Sequence, residues 1–290
     1  MLLQMVISAL LLGGIYVLMA LGLSLGFGIT NILNFAYGEA VMLGAYAAFW
    51  AFRLWGVDPL WSIPATLVLG FVAGWVLFRQ LIERVLQAPQ LNQILVTFGI
   101  GLILQNAALI AFGGDLRSAN PDYALQSFSL GDAYVPLGRL IACGVAALLS
   151  AGLLVWLFKT EHGRACRAIA QNEMAASLVG IDTRALHAVA FGVSVGLAAA
   201  TGATLSVVTS VTPFIGLPLL VKALAIIVLG GMGSIWGTIV GGLVLGALET
   251  GVAYLVPNGS GWAEGVSYLM LLLVLVVRPS GIAGRRVGEA

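Results

Sequence analysis

Charge is what this sequence has least of. Its thirteen Lys and Arg and twelve Asp and Glu amount to 9% of 290 residues, against about 25% in an ordinary soluble domain, and that shortage excludes a water-soluble single core. A net charge of +1 says nothing about nucleic acid, and none is expected as a partner. Cysteine is nearly absent. Cys143 stands in an apolar run and Cys166 in a basic polar stretch, which excludes a disulfide framework and leaves no metal-ligand spacing. Also missing are GxxxxGK[ST], HExxH, GxSxG and paired aspartates at helical spacing. With only His162 and His187, both by one polar loop, no grouping of nucleophile, base and orienter arises. The chain is therefore read as neither an ATPase nor another enzyme, and no cofactor or metal is expected on it. Regular alternation over ~10-residue segments, the mark of a membrane barrel, does not occur. The opening Met-Leu-Leu-Gln carries no basic n-region, so the first apolar run reads as a permanent span and not a cleaved signal.

What fills the sequence instead is apolar. Hydrophobic residues make up 60% and the mean hydropathy is +1.06. A spanning helix needs ~20 largely apolar residues, and between Met1 and Phe52 the one charged side chain is Glu39. The 38 glycines suit helices that approach closely in lipid, where no hydrophobic force joins them. The fold class expected is all-α, a polytopic transmembrane helical bundle forming a single domain over 1–290. Candidate spans lie near 5–27, 35–52, 61–82, 93–112, 137–158, 186–210, 218–232, 235–255 and 262–278. The seventh is short and holds Lys222, as a broken or re-entrant helix would, so eight or nine membrane segments are expected.

Basic residues give the orientation, because Lys and Arg are retained on the cytoplasmic side. Arg79 and Arg84 flank one loop, Lys159, Arg164, Arg167 and Arg184 lie in a second, and Arg278, Arg285 and Arg286 crowd the C-terminus. Nine crossings put all three clusters on one face, with a cytoplasmic C-terminus and an outside N-terminus. Arg53, Arg117 and Arg139 fall opposite, where 113–136, with Asp115, Asp122, Asp132, Pro121 and Pro136, reads as a short irregular cap.

Several polar groups sit within the apolar runs. An intramembrane carboxylate is a functional candidate by default, which singles out Glu39, although a position at the cytoplasmic end of its span, satisfied by a headgroup or loop cation, fits equally. Lys222 and Glu249 could pair inside the bundle. Gly26, Gly28, Asn31 and Asn34 interrupt the run 26–34, and GGMGSIWG at 230–237 reads as a tight turn after a broken helix. Two interruptions in different halves point to a midplane site, and Asn31, Asn34, Gln105 and Asn106 are candidates for a polar path or, as readily, for packing roles.

The longest polar interruption, KTEHGRACRAIAQNEMAASLVGIDT from Lys159 to Thr183, contains a short amphipathic helix on Ala165, Ala168, Ile169, Ala175, Ala176 and Val179, stopped by Gly180. By pattern alone it is an interfacial connector. Its residues carry more. Met-Ala-Ala, three residues and Gly180 resemble the Glu-Ala-Ala-x-x-x-Gly loop by which ABC importer permeases dock their ATPases, with Met174 in place of the glutamate and Glu173 one position earlier. GRACRAIAQNEMAASLVGID is similar to that loop in branched-chain amino acid ABC transporter permeases of the LivH type. The resemblance extends through Asn34, Phe35, Gly38 and Glu39, with Tyr37 where the family commonly has His, and through IERVLQAP, TFGIGLILQNAALIAFGG, LVKALAIIVLGGMGSIWGTIVGGLVLGALE and VRPSGIAG.

That resemblance implies a multi-pass permease of the bacterial inner membrane whose ATPase-coupling loop is 159–184, with Arg164, Arg167, Glu173, Met174, Ala175, Ala176 and Gly180 as the docking residues. It implies a second homologous permease subunit, two ATP-binding subunits that carry the ATP, an extracytoplasmic solute-binding protein and surrounding membrane lipid. The solutes implied are branched-chain amino acids or a related small solute such as urea, an aromatic or other organic acid or, more distantly, a sugar. An ion-gradient-driven secondary transporter using Glu39 or Glu249 is the alternative, and an intramembrane enzyme ranks last.

Overall fold

In a computed structural model of the chain, residues 2–124, 126–130, 133–277 and 281 are described. Asp132, Arg278, Arg285, Arg286 and all of VRPSGIAG but Val277 and Gly281 lie outside the described residues. The fold is a polytopic helical bundle. Its elements are α1 Leu2–Thr30, α2 Tyr37–Trp55, α3 Pro59–Leu77, a π-helical segment Phe78–Ile82, α4 Glu83–Val85, α5 Gln90–Phe112, strands β1 Ser127–Leu130 and β2 Ala133–Pro136, α6 Leu137–Lys159, α7 Glu161–Gln171, α8 Glu173–Leu178, α9 Thr183–Leu205, α10 Gly216–Gly230, α11 Ile235–Leu255 and α12 Gly259–Val277. Among the described residues six helical stretches are long and apolar enough to cross a membrane, α3 counting together with its π-helical and α4 continuation. α10, at 15 residues, is only about 22 Å long.

Helices α1 and α9 form the centre and are enclosed by the others, whereas α5 leaves most of its surface outward. Glycine makes this closeness possible, as expected where helices in lipid must gain contact without a hydrophobic drive. A Cβ on Gly44 of α2 would come within 2.5 Å of the Ala199 Cα, and one on Gly246 of α11 within 2.5 Å of the Gly13 Cα on α1. Gly74 of α3 meets Val195 and Gly192 of α9 in the same way. Gly26 and Gly28 belong to this group. They were expected to break the first span, but α1 runs on to Thr30, with Gly26 set against Ser194 and Gly28 against Gly233. The interruption begins at Asn31, whose φ is 53°.

Side-chain ties define one end of the bundle. Gln4 donates to the Tyr134 carbonyl at 2.8 Å and accepts from its N–H at 2.7 Å. The Tyr123 hydroxyl donates to Asp58 Oδ1 at 2.8 Å, and burial, with this bond to a carboxylate second, raises the phenol above its ordinary pKa. Arg117 and Val211 exchange backbone hydrogen bonds of 3.0 and 2.6 Å, and the Arg117 guanidinium lies over Trp50. The segment 113–136 is thus fastened down, and it is not simply irregular. Ser127↔Pro136 through Leu130↔Ala133 pair as an antiparallel hairpin, too short to register as alternation.

The other end gathers Ile29, Thr30, α4, the helices α7 and α8, and the turn 231–234. Two of its glycines, Gly231 and Gly233, have φ of 96° and 79°, the tight turn expected of GGMGSIWG. Gly281 lies against Val228 and Gly231. Phe78 in the π-helical segment packs on Phe191 of α9 with ring centroids 5.6 Å apart, which puts Arg79 and Arg84 at the same end as Lys159, Arg164, Arg167 and Arg184.

Candidate functional site

The segment 159–184 is built from caps. Thr160 accepts from the Gly163 N–H at 3.1 Å and starts α7. Asn172, with φ −160° and ψ 105°, ends α7, and its Oδ1 accepts from the Ala175 N–H at 2.9 Å to start α8. Asp182 accepts from the Ala185 N–H at 3.0 Å to start α9. Two short helices therefore replace the single amphipathic helix expected. The reason is local, since an Asn side chain competes for backbone N–H groups and favours a cap over a helix interior.

α8 closes with paired bonds, Ile181 N–H to the Ala176 carbonyl at 3.2 Å and Gly180 N–H to the Ser177 carbonyl at 3.1 Å. This is the pattern of a Schellman motif, which needs a left-handed residue at the position Gly180 occupies. Its φ is 87° and no atom crowds it, so backbone conformation, not space, selects glycine.

Capped this way, α8 points its side chains apart. Ala176 is buried, while Met174, Leu178 and Val179 are 76%, 82% and 77% exposed. Glu173 turns the other way, and its Oε1 lies 3.9 Å from His187 Nε2. The one-residue offset between Glu173 and Met174 thus separates a half-exposed carboxylate on the His187 side from an outward apolar side chain, as ~100° per residue requires. Ala175 is exposed and its N–H is held by Asn172. Arg164 is exposed and 3.9 Å from Glu161, and the Arg167 guanidinium lies 4.7 Å from the Phe158 ring centre. Beneath them Cys166 is fully buried against the bundle, and burial pushes its thiol up to about 11.

The path candidates divide into two places. Tyr37, first in α2, donates to the Met19 carbonyl at 2.6 Å. Met19 is near the middle of α1, so α2 starts inside the bundle. Asn34 is buried and its Oδ1 accepts from the Ala36 N–H at 3.0 Å, shaping the descent into α2, while Asn31 is exposed at the end of α1. Gly216, first in α10, lies against Gly38 and the Glu39 carboxyl. Two helix N-termini, each a partial positive charge of about half a unit, therefore converge on Glu39. That carboxylate is 6% exposed and its Oε2 has no hydrogen-bond partner. Among the described residues no cation stands within salt-bridge distance of it. Gly101 of α5 lies beside Glu39 Cγ, and Gln105 follows one turn along α5, partly buried. Asn106 turns outward and donates to the Leu102 carbonyl at 2.7 Å.

Lys222 and Glu249 meet elsewhere, between α10 and α11. Lys222 Nζ lies 3.1 Å from both Glu249 oxygens and donates to the Tyr16 hydroxyl at 2.8 Å. Tyr16 and Ser267 each donate to the carboxylate at 2.5 Å. Both Glu249 oxygens are therefore satisfied, as burial of an ion pair demands. Tyr16 and Ser267 were not singled out in the sequence, where a hydroxyl in an apolar run gives no signal.

A profile of the family described as "branched-chain amino acid transport system / permease component" matches residues 5–275. The high-affinity branched-chain amino acid transport system permease protein LivH of Escherichia coli (strain K12) is 32% identical over 303 residues, covering 98% of this chain and 96% of that one. BraD of Pseudomonas aeruginosa, named as a permease protein of the same kind of system, is 32% identical over 297 residues with the same shares covered. Among solved structures, PsaBC from Streptococcus pneumoniae in complex with Fab aligns with a TM-score of 0.50 at 16% identity, over 94% of this chain and 91% of that one, a likeness of fold alone.

Proposed function

The chain belongs to the branched-chain amino acid transport system permease family, a translocation subunit and not an enzyme, and on that premise we propose that it carries branched-chain amino acids through a bacterial inner membrane as part of an ATP-driven importer. A related small solute, urea or an aromatic or other organic acid, is the wider class. An extracytoplasmic solute-binding protein delivers the solute, two ATP-binding subunits supply the energy, and a second homologous permease subunit completes the passage within the lipid. ATP is held by those subunits, so this chain needs no cofactor.

One observation carries the reading: the capped helix α8 holds Met174, Leu178 and Val179 out from the basic end of the bundle. Three large apolar side chains on a short helix and its C-cap call for a cover, and another protein docking there supplies one that the lipid interface alone would not specify. The whole chain acts as one transmembrane domain with 159–184 as its coupling loop, where Arg164, Arg167, Ala175, Ala176 and Gly180 frame the docking face. Closure of the ATP-binding subunits pushes this loop and tilts the bundles, which alternates access to a central path. Glu39, Asn31, Asn34, Gln105 and Asn106 are the candidates on the α2 and α5 side of that path, while Lys222 and Glu249 brace α10 against α11. The three shorter helices α2, α10 and α12 bring the membrane segments to eight or nine. The C-terminus is cytoplasmic, which the contact of Gly281 with Gly231 supports.

The unpartnered oxygen of Glu39 favours a second reading, a secondary transporter in which this carboxylate carries the coupling ion. The two part in one experiment. The chain is purified by a tag in mild detergent, as wild type and with Met174→Asp and Leu178→Asp, two exposed changes that leave the bundle intact. ATP-binding subunits are expected with the wild type and lost from the variant at unchanged melting temperature. If the wild type purifies alone and carries solute down an ion gradient in vesicles, the importer reading is wrong.

A further inference from the structure

His187 is 2% exposed, and neither ring nitrogen has a hydrogen-bond partner. An unsatisfied buried polar group costs stability, so a ring held this way calls for an explanation. Three elements meet on it. Glu173 Oε1, on α8, stands 3.9 Å from Nε2, about 1 Å beyond a hydrogen bond. The Ile29 backbone at the end of α1 makes a loose contact with the ring that falls short of full hydrogen-bond geometry. Phe78, in the π-helical segment, stands edge-on with ring centroids 6.4 Å apart. π-helical turns occur frequently at functional sites. Phe78 and Phe191 in turn share a buried cluster with Ile32, which lies in the interruption leading to Asn34 and Glu39.

We propose that His187 is the positioning residue through which the docking segment moves the translocation path. Inward pressure on α8 closes Glu173 onto the imidazole. The shift then passes through Phe78, Phe191 and Ile32 to the interruption before α2. In the conformation described, the bond is open and the imidazole stands ready. A displacement of about 1 Å makes it, and hydrogen bonds to a charged group are the strong kind. The step is a contact made and broken and needs no covalent chemistry. It rests on the reading of 159–184 as the docking segment.

The complete transporter is reconstituted in vesicles with its ATP-binding subunits and its binding protein, and two quantities are read, ATP hydrolysed and solute accumulated. His187→Phe keeps the ring's bulk and loses its nitrogens. It is expected to retain its ATP-binding subunits and its ATP hydrolysis, and to move about tenfold less solute per ATP. Glu173→Ala, on a side chain 54% exposed and therefore safe for folding, is expected to fall by the same factor. The double variant falls no further, since the two residues act through one contact. His187→Gln, still able to reach Glu173, recovers part of the loss. Solute moved per ATP that stays at the wild-type value in His187→Phe, or single effects that multiply in the double variant, overturn the proposal. If His187→Phe does not fold, Glu173→Ala decides alone, and an unchanged ratio there overturns it. A wild type that retains no ATP-binding subunits sinks the docking reading first, and this inference with it.

Discussion

Lys222 and Glu249 show what a buried charge asks of its surroundings. The carboxylate receives Tyr16, Ser267 and the ammonium, and all four groups come from different helices, α1, α10, α11 and α12. Removing one partner of such a pair leaves an uncompensated charge, which costs about 3–5 kcal/mol, whereas replacing both is far milder. Lys222→Met is therefore expected to lower the melting temperature of the detergent-purified protein steeply. Lys222→Met together with Glu249→Gln should regain most of the loss, and a double variant as unstable as the single one would contradict the pairing. The two charges were legible in the sequence because each interrupts an apolar run. Their hydroxyl partners were not, because serine and tyrosine are common in spans and only the fold brings residues 16 and 267 to the same carboxylate. Glu39 was legible too, but its depth was not. Four residues after Phe35 it could stand at a span's end, and only the start of α2 beside Met19 puts it within the bundle.

At the level of elements, conformation decides the shape of the segment 159–184. Gly180 at φ 87° ends α8 with its two carbonyls satisfied, and a Cβ there costs about 1–2 kcal/mol from backbone strain. Gly180→Ala is expected to leave the spanning helices unchanged and to speed amide exchange across 173–178 by about tenfold, the factor that 1.4 kcal/mol gives. Unchanged exchange in those six residues would mean that the cap does not hold the helix. The Gly180 stop could be read from the sequence. The division at Asn172 could not, since apolar spacing continues across it from Ile169 to Ala175 and only the side-chain cap breaks the helix. The same holds in reverse for Gly26 and Gly28. Glycine pairs suggested an interruption, but in α1 they serve close packing, and the chain leaves the helix at Asn31, where an asparagine tolerates the left-handed conformation.

For the molecule as a whole, the ties at the two ends set its sidedness. The hairpin and Gln4 share one end with Val211, and α8 shares the other with Arg79 and Arg84. With Cys143 and Cys166 replaced by Ala, Ser129→Cys in the hairpin is expected to react with a membrane-impermeant maleimide on intact cells. Ser177→Cys on α8 should react only after the membrane is opened, and the reverse pattern would invert the topology. That Arg79 and Arg84 share an end with Lys159, Arg164, Arg167 and Arg184 was readable in advance from their clustering, whereas the side of the membrane this end faces is what the labelling decides. The close approach of the helices was readable only as a composition rich in glycine, since which glycine meets which helix depends on the whole arrangement.

The central position of α1 has a consequence for how the protein is made. α1 leaves the ribosome before the helices that enclose it, yet Tyr16 is bonded to Glu249, 233 residues later, and Gly13 is packed by Leu243 of α11. At about 5–20 residues per second, that separation is roughly 12–47 s of synthesis. Through that interval the nascent helix sits in the membrane with Tyr16 unpaired, Gly13 stays uncovered nearly as long, and the centre of the protein is completed late.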